Sequence, residues 1–260
     1  MRYIPLNDLD KLPGVRLEAG KTFSFRCYPG IGCFNRCCRN LNLFLYPYDV
    51  IRLKNNLQLT ADQFLEKYVD ILMRQSNYFP SVLMRMSEND ENTCPFMNES
   101  GCSIYPDRPD TCRAFPVERG LIYDAQMNKS HLIQFFRPPA FCLGQHETHA
   151  WTTRTWARNQ NAVIYTQMTA RWADLKRLFQ VDPWGQEGPQ GAKAKMAFMA
   201  IYNIDRFRDF VFNSSFLRRY EVDSFLIKKI RTDDVELLNL GFAWVKFFVW
   251  RIKSASIRMR

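Results

Sequence analysis

Apolar positions recur at helical spacing in the early part of the chain, where Val50, Ile51, Leu53 and Leu57 follow Pro47-Tyr48-Asp49 and predict a first helix. Thr60 with Gln63 three residues on reads as a capping box, so a second helix is expected to carry Phe64, Leu65, Tyr68, Val69 and Leu72. Both helices are expected to pack as a wall over a site formed by the flanking segments. Residues 78–93 read as a strand or loop followed by a polar connection. Phe23–Cys27 reads as a short strand, and two more strands are expected around Leu121–Tyr123 and Leu132–Phe136. From Trp151 the pattern turns helical: Trp156, Val163, Ile164, Met168, Trp172, Leu175 and Phe179 can share one face of 151–179. A loop rich in Gly and Pro over 182–192 precedes helices expected at 193–212, 215–231 and 233–253.

The fold class this implies is α+β. A small cysteine-rich metal-binding domain with few short strands, residues 22–145, is followed by an all-helical C-terminal domain, residues 146–260, and the whole is mostly helical. The most apolar segment, Val235 to Ile252, is interrupted by Glu236, Asn239 and Lys246, so no transmembrane segment is expected. Met1 to Gly20 carries charges and no apolar run of signal-peptide length, which points to the cytoplasm.

Cysteine usage changes the picture most. Cys27, Cys33, Cys37 and Cys38 fall within twelve residues, and Cys94, Cys102, Cys112 and Cys142 follow. In a reducing compartment, thiols this close together read as metal ligands in preference to half-disulfides. Thiolates are soft donors that select zinc or iron–sulfur clusters, and four are needed per mononuclear zinc or per cubane. Eight thiols suffice for two such sites, although one site with four bystanders also fits. Neighbouring side chains diverge, so Cys37 and Cys38 can serve two different metals, or one can be a ligand and the other a spare. Arg108 and Arg113, with Arg26, Arg36 and Arg39, lie among the cysteines in sequence and are candidates to stabilise thiolates and offset cofactor charge. His146 and His149 follow Cys142 and are the other available ligands. The tryptophans at 151, 156, 172 and 184 can stack bases, but their helical spacing favours core packing.

The chain of 260 residues has 36 basic and 26 acidic side chains, a net charge of +10, so an acidic protein or a nucleic acid is a candidate partner through the basic surface. Thiolate sites carry negative charge, so part of that excess can be internal compensation. No phosphate-binding loop, dinucleotide fingerprint or hydrolase elbow is present, and no catalytic motif is identified.

The string C-x-I-Y-x-x-R-P-x-x-C-R-x-F-P, from Cys102 to Pro116, together with Cys27, Cys33, Cys37-Cys38-Arg39, Cys94-Pro95-Phe96 and Cys142-Leu143-Gly144, resembles the YkgJ-type cysteine-cluster family, also described as the CxxCxxCC zinc- or iron-chelating domain. Here the gaps before the adjacent pair are five and three residues, where the family name gives two and two. The resemblance implies metal or iron–sulfur binding by the eight cysteines. The leading expectation is an iron–sulfur protein, [4Fe–4S] in type, with a redox, electron-transfer or metal-handling role. A zinc-stabilised module that binds RNA or an acidic protein is the alternative. Flagellin lysine-N-methylase shares the cysteine cluster, and a protein-modifying enzyme stands last.

Overall fold

The computed structural model describes residues 1–75, 77–124, 126–127 and 129–260. It is a mostly helical α+β protein, 44% helix and 18% strand, with short strands. Two compact units emerge, and each is assembled from separate pieces of chain. The first comprises Met1–Leu43 and Arg85–Ala173, the second Phe44–Met84 and Asp174–Arg260. These units interleave in sequence, unlike the consecutive division expected at 145/146.

In the first unit, strand Lys129–Phe136 lies between Val15–Arg16 and Val117–Asp124 in an antiparallel sheet. Alternation along the hairpin buries Leu121, Ile133 and Phe135. Strand Thr22–Ser24, near the position expected, pairs with Ala150–Thr152. Leu17, Phe23, Phe25, Val117, Cys142 and Trp156 form one core around these strands. Trp156 stands edge-on to Phe25 at 5.5 Å and donates from its indole N–H to the Ala114 carbonyl.

A buried polar network fixes the C-R of the string to this core. Arg113, 1% exposed, donates to the carbonyls of Gln160 and Pro106 at 2.6 Å each and lies 4.1 Å over the Tyr165 ring. Asp110 pairs with Arg119 at 2.6 Å and accepts from the Thr169 hydroxyl at 3.0 Å.

The helix expected over 151–179 is two helices, Thr153–Asn159 and Val163–Leu178. Gln160 caps the first, and Asn161 takes a positive φ of 49°. The Gln160 carbonyl is held by Arg113 and its side chain by Arg108, so tertiary contacts fix the break.

In the second unit, helix Pro47–Asn56 forms where expected, and Asp49 accepts from the Tyr46 N–H at its start. The capping box of Thr60 and Gln63 is present in both directions. The helix it starts ends at Tyr68; Val69–Leu72 is a strand paired with Ser81–Met84, which also pairs with Phe44–Leu45. Backbone pairing therefore overrides the helical spacing of Val69 and Leu72. The two early helices were expected to form a wall over the cysteine site. They belong to this second unit, which contains none of the eight thiols, and pack with Ala192–Tyr202, Ile204–Asn213 and Asp234–Trp250.

The helices expected at 193–212 and 215–231 are each divided. Asn203 separates Ala192–Tyr202 from Ile204–Asn213 and caps the latter by accepting from Arg206 N–H. Phe216–Arg219 and Ser224–Lys229 flank the short strand Tyr220–Glu221, which pairs with Arg258–Met259. Helix Asp234–Trp250 runs against Ala192–Tyr202 so closely that a Cβ on Gly241 would lie 2.4 Å from the Ala200 carbonyl oxygen. Among the described residues no helix is long and apolar enough to cross a membrane. Trp156, Trp172 and Trp184 are core residues, as their spacing indicated, and Trp151 is half-buried.

Candidate metal centre

The first cysteine segment is held from both sides. As the chain leaves strand Thr22–Ser24, Phe25 N–H donates to the His149 carbonyl, Trp151 Nε1 donates to the Phe25 carbonyl, and Arg26 N–H donates to the Gly144 carbonyl at 3.1 Å. Those bonds set Cys27 beside the turn that carries Cys142. Pro29-Gly30 then reverses the chain, with Gly30 at φ 99°. A helical turn, Arg36–Cys38, follows Asn35, which sits in the left-handed region that asparagine tolerates.

The link between Cys33 and the Cys142 turn is direct: Leu143 N–H donates to the Cys33 Sγ at 3.2 Å. Cys94 is tied to the adjacent pair, since its N–H donates to the Cys38 carbonyl at 2.8 Å. Arg39 and Thr93 form a bridge beside that bond, and Arg39 reaches Glu91 at 3.0 Å. Cys102 lies opposite Met97 in the hairpin Met97–Asn98/Gly101–Cys102, and the Asn35 side chain donates to the Asn98 carbonyl. Cys112 stands on the short helix Asp110–Ala114. Thus segments that are distant in sequence return all eight cysteines to the first unit.

All eight are thiols, none in a disulfide; Cys33 and Cys142 are buried, Cys27 is exposed and the others are intermediate. Their electrostatics reveal which sense one another. Burial, then Cys37, Cys33 and Cys142, pushes the Cys27 thiol up to about 11. Cys142 is raised by burial and by Cys33 and Cys37. Cys94 is raised by burial, then by Cys102 and Cys37, and Cys102 by burial and by Cys37. A hydrogen bond from Cys38 pulls Cys37 down to about 7, while the same bond, burial and the charges of Cys37, Cys112 and Cys94 hold Cys38 high. The thiols therefore form one network that runs through Cys37, with Cys27, Cys33 and Cys142 on one side of it and Cys38, Cys94, Cys102 and Cys112 on the other. Cys37 acts on members of both.

Backbone N–H groups are already committed to sulfur. Phe96 supports Cys94, Ile104 supports Cys102, and Gly144 and Gln145 support Cys142, each opposing the effect of burial. Such bonds stabilise thiolate and are the outer-shell contacts that orient and tune soft-metal ligands. The donor set therefore fits zinc or an iron–sulfur cluster in chemistry. It is not drawn to ligand distance: among the described residues no group of three or more His, Cys, Asp or Glu side chains is gathered tightly enough to hold a metal ion. Charge coupling extends over several ångströms, whereas a shared ion needs sulfurs at bonding distance, so both observations hold.

The arginines separate by role. Arg108 senses Cys112 and Cys102, and its charge in turn favours the Cys102 thiolate. It stacks 3.7 Å over the Tyr105 ring and donates to the Tyr105 carbonyl and the Gln160 side chain. Arg39 favours the Cys37 thiolate. Arg113 is committed to the carbonyl network beneath them, Arg26 lies over Tyr28, and Arg36 over Phe141. His149 packs on Trp151 at 4.4 Å, and His146 ends the helical turn after Cys142.

Residues 26–142 match the family model CxxCxxCC, described as a putative zinc- or iron-chelating domain. That segment belongs to the CxxCxxCC family. The match runs from the residue before Cys27 to Cys142, so it encloses all eight thiols and the segment 44–84 that folds into the other unit. No curated protein and no solved structure matches the chain. Sequence reasoning named the eight thiols, Arg108 and Arg113 but not Asp110, Arg119, Gln160 and Tyr165, the network around Arg113. Only Asp110 lies within the quoted string, at an unspecified position. The N–H donors at 96, 104 and 143–145 are main-chain groups and leave no side-chain signal.

Proposed function

We propose that the CxxCxxCC unit binds iron as [4Fe–4S] clusters in two four-cysteine sites, and that it serves in electron transfer, redox sensing or metal handling. Cys27, Cys33, Cys37 and Cys142 would hold one cluster, and Cys38, Cys94, Cys102 and Cys112 the other. The observation that supports the reading is that thiols from distant segments are coupled through the adjacent pair Cys37-Cys38, with Cys27, Cys33 and Cys142 reached on one side and Cys94, Cys102 and Cys112 on the other.

A bound [4Fe–4S] cluster supplies a reversible one-electron couple. The chain's own residues hold the thiolates in place, set their N–H···S bonds, and offset charge through Arg39 and Arg108. The exposed side of Cys27 leaves one edge of the first site open to water, while Cys33 and Cys142 are buried. Exposure and hydrogen bonding to sulfur both tune potential, so the two sites would differ.

Anaerobic purification followed by iron, zinc and acid-labile sulfide analysis, with an electron paramagnetic resonance spectrum of the reduced protein, tests this. Brown protein with near-equal iron and sulfide supports it. Colourless protein with stoichiometric zinc replaces clusters by zinc thiolates, and protein that takes up neither metal overturns both.

A further inference from the structure

The second unit ends in a two-stranded ribbon whose outer face concentrates arginine. Tyr220 is opposite Met259 and Glu221 is opposite Arg258. Beyond the paired residues, Arg219 ends the helix Phe216–Arg219, and Arg260 N–H donates to its carbonyl at 3.0 Å, which brings the two backbones together. Strand alternation separates two faces of the ribbon. Tyr220 packs on Phe216 and Phe247, and Val222 and Ile257 are buried, so that side meets the core, with Met259 exposed at its edge. Glu221 and Arg258 are exposed on the other side, and Arg219 and Arg260 are exposed beside them.

The charges on that outer face do not cancel. Glu221 binds Arg258 through both oxygens, at 2.6 and 2.8 Å, and Arg260 also acts on it, so this surface carries one carboxylate among three arginines. Arg218 precedes them, and residues 251–260 add Arg251 and Lys253 with no acidic side chain. Like charges gathered on one surface repel, and a bound anion relieves that repulsion.

We propose that this arginine ribbon binds the phosphate backbone of a single-stranded nucleic acid, with Arg219 and Arg260 as the principal contacts and Arg218 and Lys253 flanking them. Guanidinium forks match phosphate oxygens in pairs, and arginine predominates over lysine here. A nucleic acid is favoured over an acidic protein because its backbone presents a continuous run of phosphates to several arginines at once. The overall charge of +10 would draw a dense polyanion to the ribbon. The proposal does not depend on which metal the cysteines hold.

Fluorescence anisotropy of a labelled 20-nucleotide RNA with the full chain as purified, over roughly 50 to 200 mM salt, tests it. Wild type should bind with affinity that falls steeply with salt. Arg219→Ala with Arg260→Ala should weaken binding about tenfold or more at low salt and flatten the log–log salt slope by about 1.4, which is two phosphate contacts at roughly 0.7 each for single strands. Arg219→Lys with Arg260→Lys, which keeps the charge and leaves the surface otherwise intact, should retain most of the slope with weaker binding. Equal binding by wild type and the alanine pair overturns the proposal. So does competition by polyglutamate or anionic phospholipid vesicles that matches unlabelled RNA at equal charge.

Discussion

A Cβ on Gly144 would lie 2.6 Å from the Arg26 carbonyl oxygen and 2.9 Å from the Phe25 ring. The residue two after Cys142 is thus glycine because the chain before Cys27 passes directly over it. Gly144→Ala must push the two segments apart, at a cost of about 1–3 kcal/mol typical of overpacking. The expected outcome is a lower denaturation midpoint together with a selective loss of metal from the set containing Cys27, Cys33, Cys37 and Cys142. Metal per chain, measured beside urea unfolding, checks both.

Cys38 is coupled to Cys94 and Cys112, whereas Cys37 is coupled to members of both sets. Cys38→Ser should remove about half the bound metal and leave the other site spectroscopically intact. Cys37→Ser should disturb both signals. Identical spectra and metal content for the two variants would remove the basis for assigning the adjacent thiols to different sites.

Asp110 and Arg119 are buried and paired at 2.6 Å. Removing one charge leaves the other without compensation, which in a buried pair costs about 3–5 kcal/mol. Asp110→Asn and Arg119→Met should each lower stability by that order, and the double variant should recover part of the loss. Equilibrium unfolding in a double-mutant cycle reads this directly, and additive losses would argue against a coupled pair.

Burial, with Arg74 adding to it, lowers the Lys176 amine to about 8 from an ordinary 10.5; its Nζ lies 3.3 Å from the Ser81 hydroxyl. Below pH 8 both the folded and unfolded chains carry the proton, and the folded state bears the whole penalty of a desolvated cation. Between about 8 and 10.5 the unfolded chain binds more protons than the folded one, so this residue's contribution to stability rises with pH across that window. Lys176→Met should therefore stabilise the protein at pH 7, by about 1–3 kcal/mol, and the advantage should shrink toward pH 10.5. Thermal melts of both proteins from pH 6 to 10.5 provide the comparison.

What could be read in advance followed local chemistry. The Thr60 box needs only residues three apart, and the strands at 121–123 and 132–136 declare themselves by composition. The cysteines likewise reveal a soft-donor site by spacing alone. Where the reading failed, distant residues decided the outcome. Nothing in 151–179 shows that Arg113 will take the Gln160 carbonyl and end a helix there. Nothing in Val69–Leu72 shows that Ser81–Met84 will draw it into a sheet. The arrangement of thiols on the two sides of Cys37 also depends on turns at 29–38, 94–103 and 142–145, whose register is fixed by main-chain bonds.

The interleaved course of the chain bears on how it is made. The last residue of the thiol-bearing unit is Ala173, so its full complement of segments is synthesised before the helices at 192–202 and 234–250. That unit can begin to fold on the nascent polypeptide, while residues 44–84, already synthesised, still await the partners that complete their own unit. A truncation after residue 145 would strand that segment permanently and expose Val50, Leu53 and Phe64, whose burial belongs to the finished protein.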